Sequence, residues 1–168
     1  RALAYYLLMD NHGNVPIVTS FKDVSLPKQN TRAEVYAFVL KELNEVLPVL
    51  SEDAATTYGR MNKWGAKALL AKIYLNSEVY VGTPEYEKCI KEADDVINSN
   101  KYQLDNNYSD VFTYTNQNSK EIIFAIPYDE IYGVGNQIHL KTLDPLSQSV
   151  YQMTAQPWGG NCAVPQFI

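Results

Sequence analysis

At 168 residues the chain is long enough for one domain with a sizeable core, and a piece of a larger domain fits the length equally well. Fourteen basic against nineteen acidic side chains leave a formal charge of −5 spread without blocks, and the missing basic stripe argues against duplex nucleic acid as a partner. Apolar runs such as 122–126 are far too short to span a bilayer, while Cys89 and Cys162 stand alone, forming neither a disulfide framework nor metal-ligand spacing and leaving the redox compartment open.

Arg1 to about Asp10 reads as the tail of a helix with Leu3, Tyr6 and Leu7 on one side, ended by Gly13 as the left-handed residue past the last turn. It has no cap before Arg1, and 163–168 shows no closing signal, so the chain is expected to be an internal segment. Residues 15–18 suit a short extended piece, and 20–30 a polar connection. Thr31 with Glu34 forms a capping box that opens a second helix. Its stripe is Val35, Phe38, Val39, Leu43, Val46 and Leu50, and Pro48 ends or bends it.

An irregular Tyr58-Gly59-Arg60 leads to a third helix, capped by Asn62, with Ala66, Leu69, Leu70, Ile73 and Tyr74 inward. Thr83-Pro84 predicts an N-cap and first helical position for a fourth helix, with Tyr86, Ile90, Ala93 and Ile97 buried. Two such hairpins give the fold class. It is mainly α, with tetratricopeptide-like hairpins of an α–α superhelix carrying an irregular, loop-rich ligand-binding region. Residues 1–100 form the scaffold and 101–168 begin the loop-rich region. Within the latter, 101–104 reads as extended, 108–112 as a helical turn and 121–127 as a buried strand, and 128–158 shows no sustained periodicity.

Catalytic motifs are thin. His12 and His139 lie in turn or loop contexts without a nucleophile motif, and Glu42, Glu45, Asp94 and Asp95 fall on helix faces predicted to be outward. No converging carboxylate spacing suggests a glycosidase. The run beginning at Asp105 fails as a calcium loop because its sixth position is Asp110 and its twelfth Asn116, which leaves only a looser metal site open. Gly133-Val134-Gly135 lacks the helix start and third glycine of a phosphate loop. The expectation is no catalytic residue, no metal and no cofactor.

Thirteen Tyr stand against five Phe and two Trp, and many of the Tyr lie in the Gly-, Asn- and Gln-rich second half. The candidate ligand-binding residues are Tyr132, Asn136, Gln137, Tyr151, Trp158 and Asn161: aromatic faces stack on sugar C–H faces, and carboxamides read hydroxyls. Trp158, held between turn-forming residues, suits either such a platform or a plug that packs the loop onto the hairpins.

Several passages resemble the SusD/RagB family. They are 1–10 followed by Gly13-Asn14-Val15-Pro16, then Thr31-Arg32-Ala33-Glu34-Val35-Tyr36, Tyr58-Gly59-Arg60 with 66–75, and the later Tyr102-Gln103-Leu104, 108–112 and Glu121-Ile122-Ile123-Phe124. The blocks run in family order from Arg1 to about Tyr128. The resemblance implies an outward-facing outer-membrane lipoprotein of gut-type Bacteroidetes. Such a protein binds oligosaccharide or polysaccharide beside a SusC-like TonB-dependent transporter in nutrient uptake and is not an enzyme. It implies that the lipid anchor and signal peptide precede Arg1, so the membrane is touched only through that anchor. Tyr132-Gly133 and Trp158 match an aromatic Tyr and a Trp of the family's starch-binding prototype, whereas Asn136, Gln137 and Asn161 have no counterpart there. The other reading is a protein- or peptide-binding tetratricopeptide-like module that docks the transporter without touching glycan.

Overall fold

The computed structural model describes residues 1–22, 25–129, 131–133, 135 and 137–161. Its elements are α1 (Ala2–His12), β1 (Val15–Pro16), β2 (Gln29–Asn30), α2 (Arg32–Val46), α3 (Lys63–Leu75), α4 (Ser77–Val81), α5 (Tyr86–Asn98), α6 (Ile138–Thr142) and α7 (Ser147–Val150), with short 3₁₀ turns at Leu47–Val49, Tyr108–Phe112 and Asn116–Asn118. The chain divides into two compact units, 1–125 and 126–168. The class is mainly α, as the periodicity predicts.

In the first unit α1 packs on α2 and α3 on α5, and α2 also reaches α3 and α4. One core runs through Tyr6 and Met9 of α1, Val35, Val39 and Leu43 of α2, Leu70 and Ile73 of α3, and Tyr80 of α4. Gly13 closes α1 with φ +73, a backbone conformation that favours glycine, and lies against the Arg32 guanidinium. The chain then pairs β1, in the stretch expected to be extended, antiparallel with β2 at the end of the polar connection, Val15 opposite Asn30.

The caps form as the sequence predicts. Glu34 N–H donates to Thr31 Oγ1 (3.3 Å), and Thr31 N–H donates to the Glu34 carboxylate (2.7 Å). Asn14 Oδ1 accepts from Arg32 N–H at 2.8 Å, satisfying another amide of the first turn. Asn62 Oδ1 accepts from Gly65 N–H at 2.8 Å and opens α3. Leu69, Leu70, Ile73 and Tyr74 are buried along it, as expected.

Several expectations need correction. α5 starts at Tyr86 with Glu85 as N-cap, not at Thr83-Pro84. An extra short helix, α4, precedes it, ended by left-handed Gly82, and residues 83–85 are used to reverse the chain, with Glu85 N–H donating to Ser77 Oγ (2.8 Å). The inward face of α5 also differs. Val96 is buried and Cys89 and Ala93 half-buried, whereas Tyr86, Ile90 and Ile97 are exposed. At 100° per residue the buried stripe is turned by roughly 60° from the predicted one.

The cause of that rotation is Lys67 of α3, only 8 % exposed, whose ammonium lies 2.7 Å from Glu92 and 2.6 Å from Asp95 of α5. Asp95 is therefore an ion-pair partner and not a merely solvated carboxylate. Glu42, likewise expected on an open face, accepts two hydrogen bonds from the Arg1 guanidinium, at 2.5 and 2.7 Å. The two remaining corrections concern 121–127 and 128–158. The former forms no strand, since Gln103 N–H to the Lys120 carbonyl (3.2 Å) is its neighbourhood's single rung and no ladder follows. The latter contains α6 and α7, too short to leave a periodic signature.

Burial lowers the affinity of Lys67 for its proton, but the hydrogen bonds to Asp95 and Glu92 outweigh it and the net shift is upward. The Lys67 hydrogen bond holds Asp95 below its ordinary value. A raised ammonium contributes at low and neutral pH and loses its contribution as pH rises through its folded value. A lowered carboxyl contributes above the ordinary carboxylate range and loses its contribution as pH falls through its folded value. Lys67→Ala is expected to lower the unfolding free energy by about 3 kcal/mol in denaturant titrations at pH 7, because it leaves Glu92 with little water and only the longer 3.7 Å contact to the exposed Lys91. The deficit should shrink as the buffer is acidified through the carboxylate range. Thr31→Ala is expected to cost about 1 kcal/mol in the same titration, with Thr31→Ser close to the parent.

Candidate functional site

Five of the six candidate residues lie among the described residues of 126–168; Asn136 lies outside them. Tyr132 stands on a closed turn. Asp129 Oδ1 accepts from Ile131 N–H (2.7 Å) and Tyr132 N–H (2.5 Å), and Asp129 N–H donates to the Gly133 carbonyl (3.3 Å). This is an Asx-type turn, in which a short carboxylate replaces a main-chain acceptor. A Cβ on Gly133 would lie 2.9 Å from Asp129 N, so the closure needs a glycine. The backbone donors of Tyr132 and Ile131 hold the Asp129 carboxyl below its usual range. With its backbone fixed in this way, the Tyr132 ring is 92 % exposed.

Trp158 is held differently. Its N–H donates to the Leu140 carbonyl (2.5 Å), Gly159 N–H to Leu143 (3.1 Å) and Asn161 N–H to Lys141 (2.8 Å). These carbonyls belong to α6 and the residue just past it, the end of a helix where carbonyls lack intrahelical partners. Gly159 has φ +63, and a Cβ there would approach Pro145 Cδ at 3.3 Å; Pro157 is buried. The main chain is thus docked by three hydrogen bonds while the indole remains 56 % exposed.

α6 also ties in Gln137, whose carbonyl accepts from Lys141 N–H (3.0 Å) and whose side chain is exposed. Gln137, Trp158 and Asn161 are therefore assembled on one short helix, two of them at its carbonyl end. Tyr132 sits on the separate Asp129 turn, and Tyr151, exposed, follows α7. The sequence reading missed Asp129, which positions Tyr132; an Asp two and three residues ahead of the amides it accepts was the available signal. It also missed α6, whose five residues give a periodicity argument nothing to work on.

Among the described residues no group of three or more His, Cys, Asp or Glu is arranged to hold a metal ion. No described helix is long and apolar enough to cross a membrane. Cys162 lies outside the described residues, as does the side chain of His139.

The first unit is a helical-hairpin scaffold, and the second carries exposed aromatic and carboxamide side chains on backbone-pinned loops. Residues 1–75 match the SusD-like family model described as starch-binding associating with outer membrane. The starch-binding protein SusD of Bacteroides thetaiotaomicron is 34% identical over 135 residues, which cover 78% of this chain and 24% of that protein. A SusD-like protein of Bacteroides ovatus is 30% identical over 143 residues, 79% of this chain and 26% of its own length. Among solved structures, a SusD superfamily protein from Parabacteroides distasonis superposes with a TM-score of 0.72 at 26% identity, covering 86% of this chain and 32% of that one. The chain belongs to the SusD-like family, and it spans about a quarter of the length of the curated relatives it matches.

The Asx turn carries its own test. In a pH titration followed by NMR, the Ile131 and Tyr132 amide resonances are expected to shift together with a midpoint below the ordinary Asp range. A midpoint inside that range would show that the carboxylate does not hold the turn.

Proposed function

We propose that this chain forms part of a cell-surface glycan-binding protein of the outer membrane. In this reading it holds oligosaccharide or polysaccharide for uptake through a SusC-like TonB-dependent transporter and makes and breaks no bond. The observation that carries the reading is the Trp158 indole, open to solvent while its own main chain is docked on α6. A ring fixed in this way loses little conformational entropy when it stacks on a sugar, which favours contact recognition of a hydroxyl-rich ligand. Tyr132, still more exposed on a fixed turn, supplies a second such face, and Gln137 and Asn161 supply carboxamides for hydroxyls. Asn136 and Tyr151 complete the proposed set. The names of the relatives point the same way: the Bacteroides thetaiotaomicron protein is a starch-binding protein.

A second reading rests on a different observation. Tyr86, Ile90 and Ile97 leave an apolar strip of α5 exposed, a surface of the kind that docks another protein. On that reading the hairpins serve protein or peptide binding, including contact with the transporter, and the loops touch no glycan.

The two separate cleanly on Trp158→Ala in the full-length protein, assayed by glycan pull-down and by transporter co-purification. Glycan binding is expected to weaken about tenfold, the loss of one aromatic stacking contact, with co-purification unchanged. Intact glycan binding in both Trp158→Ala and Tyr132→Ala would rule out the loop platform. Release of reducing ends from a polysaccharide panel would rule out a purely binding role.

A further inference from the structure

Within the first unit lies a cleft of about 580 Å³, inside the size range of small-molecule sites. It is lined by Tyr58 and Tyr102, by Asn100 and Gln103, and by Lys101 and Lys120. Gln117 adds a third carboxamide, and no Asp or Glu lines the cleft. The mixture of aromatic face, amide and cation without a competing anion is specific in chemical terms. It suits a ring with hydroxyls and an acid group.

The walls are built, not incidental. Tyr102 Oη accepts a hydrogen bond from Asn62 Nδ2 at 3.0 Å, and Asn62 is itself 3 % exposed and caps α3. Gln103 N–H donates to the Lys120 carbonyl at 3.2 Å, bringing the two lysine-bearing segments side by side. The nearby acids are engaged in holding this arrangement. Glu121 accepts from Asp105 N–H at 3.0 Å, and the Asp105 carboxylate accepts the Ser119 hydroxyl.

Lys101 also lies near Glu52 and Asp53. Glu52 is held low chiefly by its hydrogen bond to Lys63, and Asp53 by Thr56 and the Ala55 N–H, with Lys101 a lesser contributor to each. Both carboxylates thus have nearer partners than Lys101. Lys120 forms no ion pair with any described residue.

We propose that this cleft is a second carbohydrate site, selective for a carboxylate-bearing sugar residue of the uronic acid class. Lys120, with Lys101 beside it, receives the carboxylate, Tyr58 lies against the C–H face of the ring, and the Asn100, Gln103 and Gln117 carboxamides read hydroxyls. Sugar hydroxyls exchange water for protein at little net gain, whereas a carboxylate on an ammonium forms a charge-assisted hydrogen bond, so the acid group decides selectivity. The site is independent of Trp158 and Tyr132.

Calorimetric titration of the full-length protein with glucuronic acid, and with glucose as its neutral match, tests the proposal. Glucuronic acid is expected to bind at least about fivefold more tightly than glucose, and Lys120→Gln to remove that advantage, as the loss of one partly exposed charge contact. The preference for glucuronic acid over glucose should persist in Trp158→Ala. Equal affinity for the two sugars, no binding of either, or an unaltered advantage in Lys120→Gln overturns the proposal. Should Lys120→Gln misfold by circular dichroism, amide NMR on the unaltered protein decides. Glucuronic acid shifts at Lys101, Gln103 and Lys120 support the cleft, and shifts confined to Tyr132 and Trp158 refute it.

Discussion

The ammonium of Lys67, enclosed between α3 and α5, fixes more of this structure than any apolar contact. A buried cation is tolerated only beside anions, so α5 must turn Glu92 and Asp95 toward α3. That requirement overrides the apolar stripe of α5, because the helix cannot bring both faces inward. Val96, Cys89 and Ala93, next to the acids around the helix, supply the packing. Tyr86, Ile90 and Ile97 are left on the outside, and the exposed strip that motivates a protein-docking reading follows directly from where one lysine is held.

A second buried polar group, Asn62, carries the scaffold into the region beyond the helices. Its carboxamide oxygen caps α3, and its nitrogen donates to Thr57 Oγ1 (2.9 Å) and to the Tyr102 hydroxyl. One side chain therefore anchors a helix start, the loop before it and the first segment after α5. Every described buried side-chain polar atom has a partner, as an interior of low dielectric demands. The same network fixes Tyr102, one of the residues lining the lysine-bearing cleft.

The loop residues follow a common physical rule in the second unit. Main-chain groups are satisfied by short local devices, an Asx turn at Asp129 and docking onto the open carbonyls of α6, and the aromatic side chains are left largely exposed. Trp158 is a half-open ring on a fixed backbone, a geometry that neither composition nor motif could distinguish from a loop plug.

Local chemistry was legible in the sequence. The Thr31–Glu34 capping box, the Asn62 cap, the Gly13 terminus, the 3₁₀ turn at Tyr108–Phe112 and the inward face of α3 all follow from interactions within a few residues. The family passages lie largely in those same stretches. Tertiary structure alone decided which face of α5 is buried, that Glu42 and Asp95 are paired, that residues 121–127 form no ladder, and that Gln137, Trp158 and Asn161 share α6. The division has one cause. Caps and turns are settled between neighbours in the chain, whereas helix rotation and cleft walls depend on charges and carbonyls some 16 to 41 positions away, which periodicity does not encode.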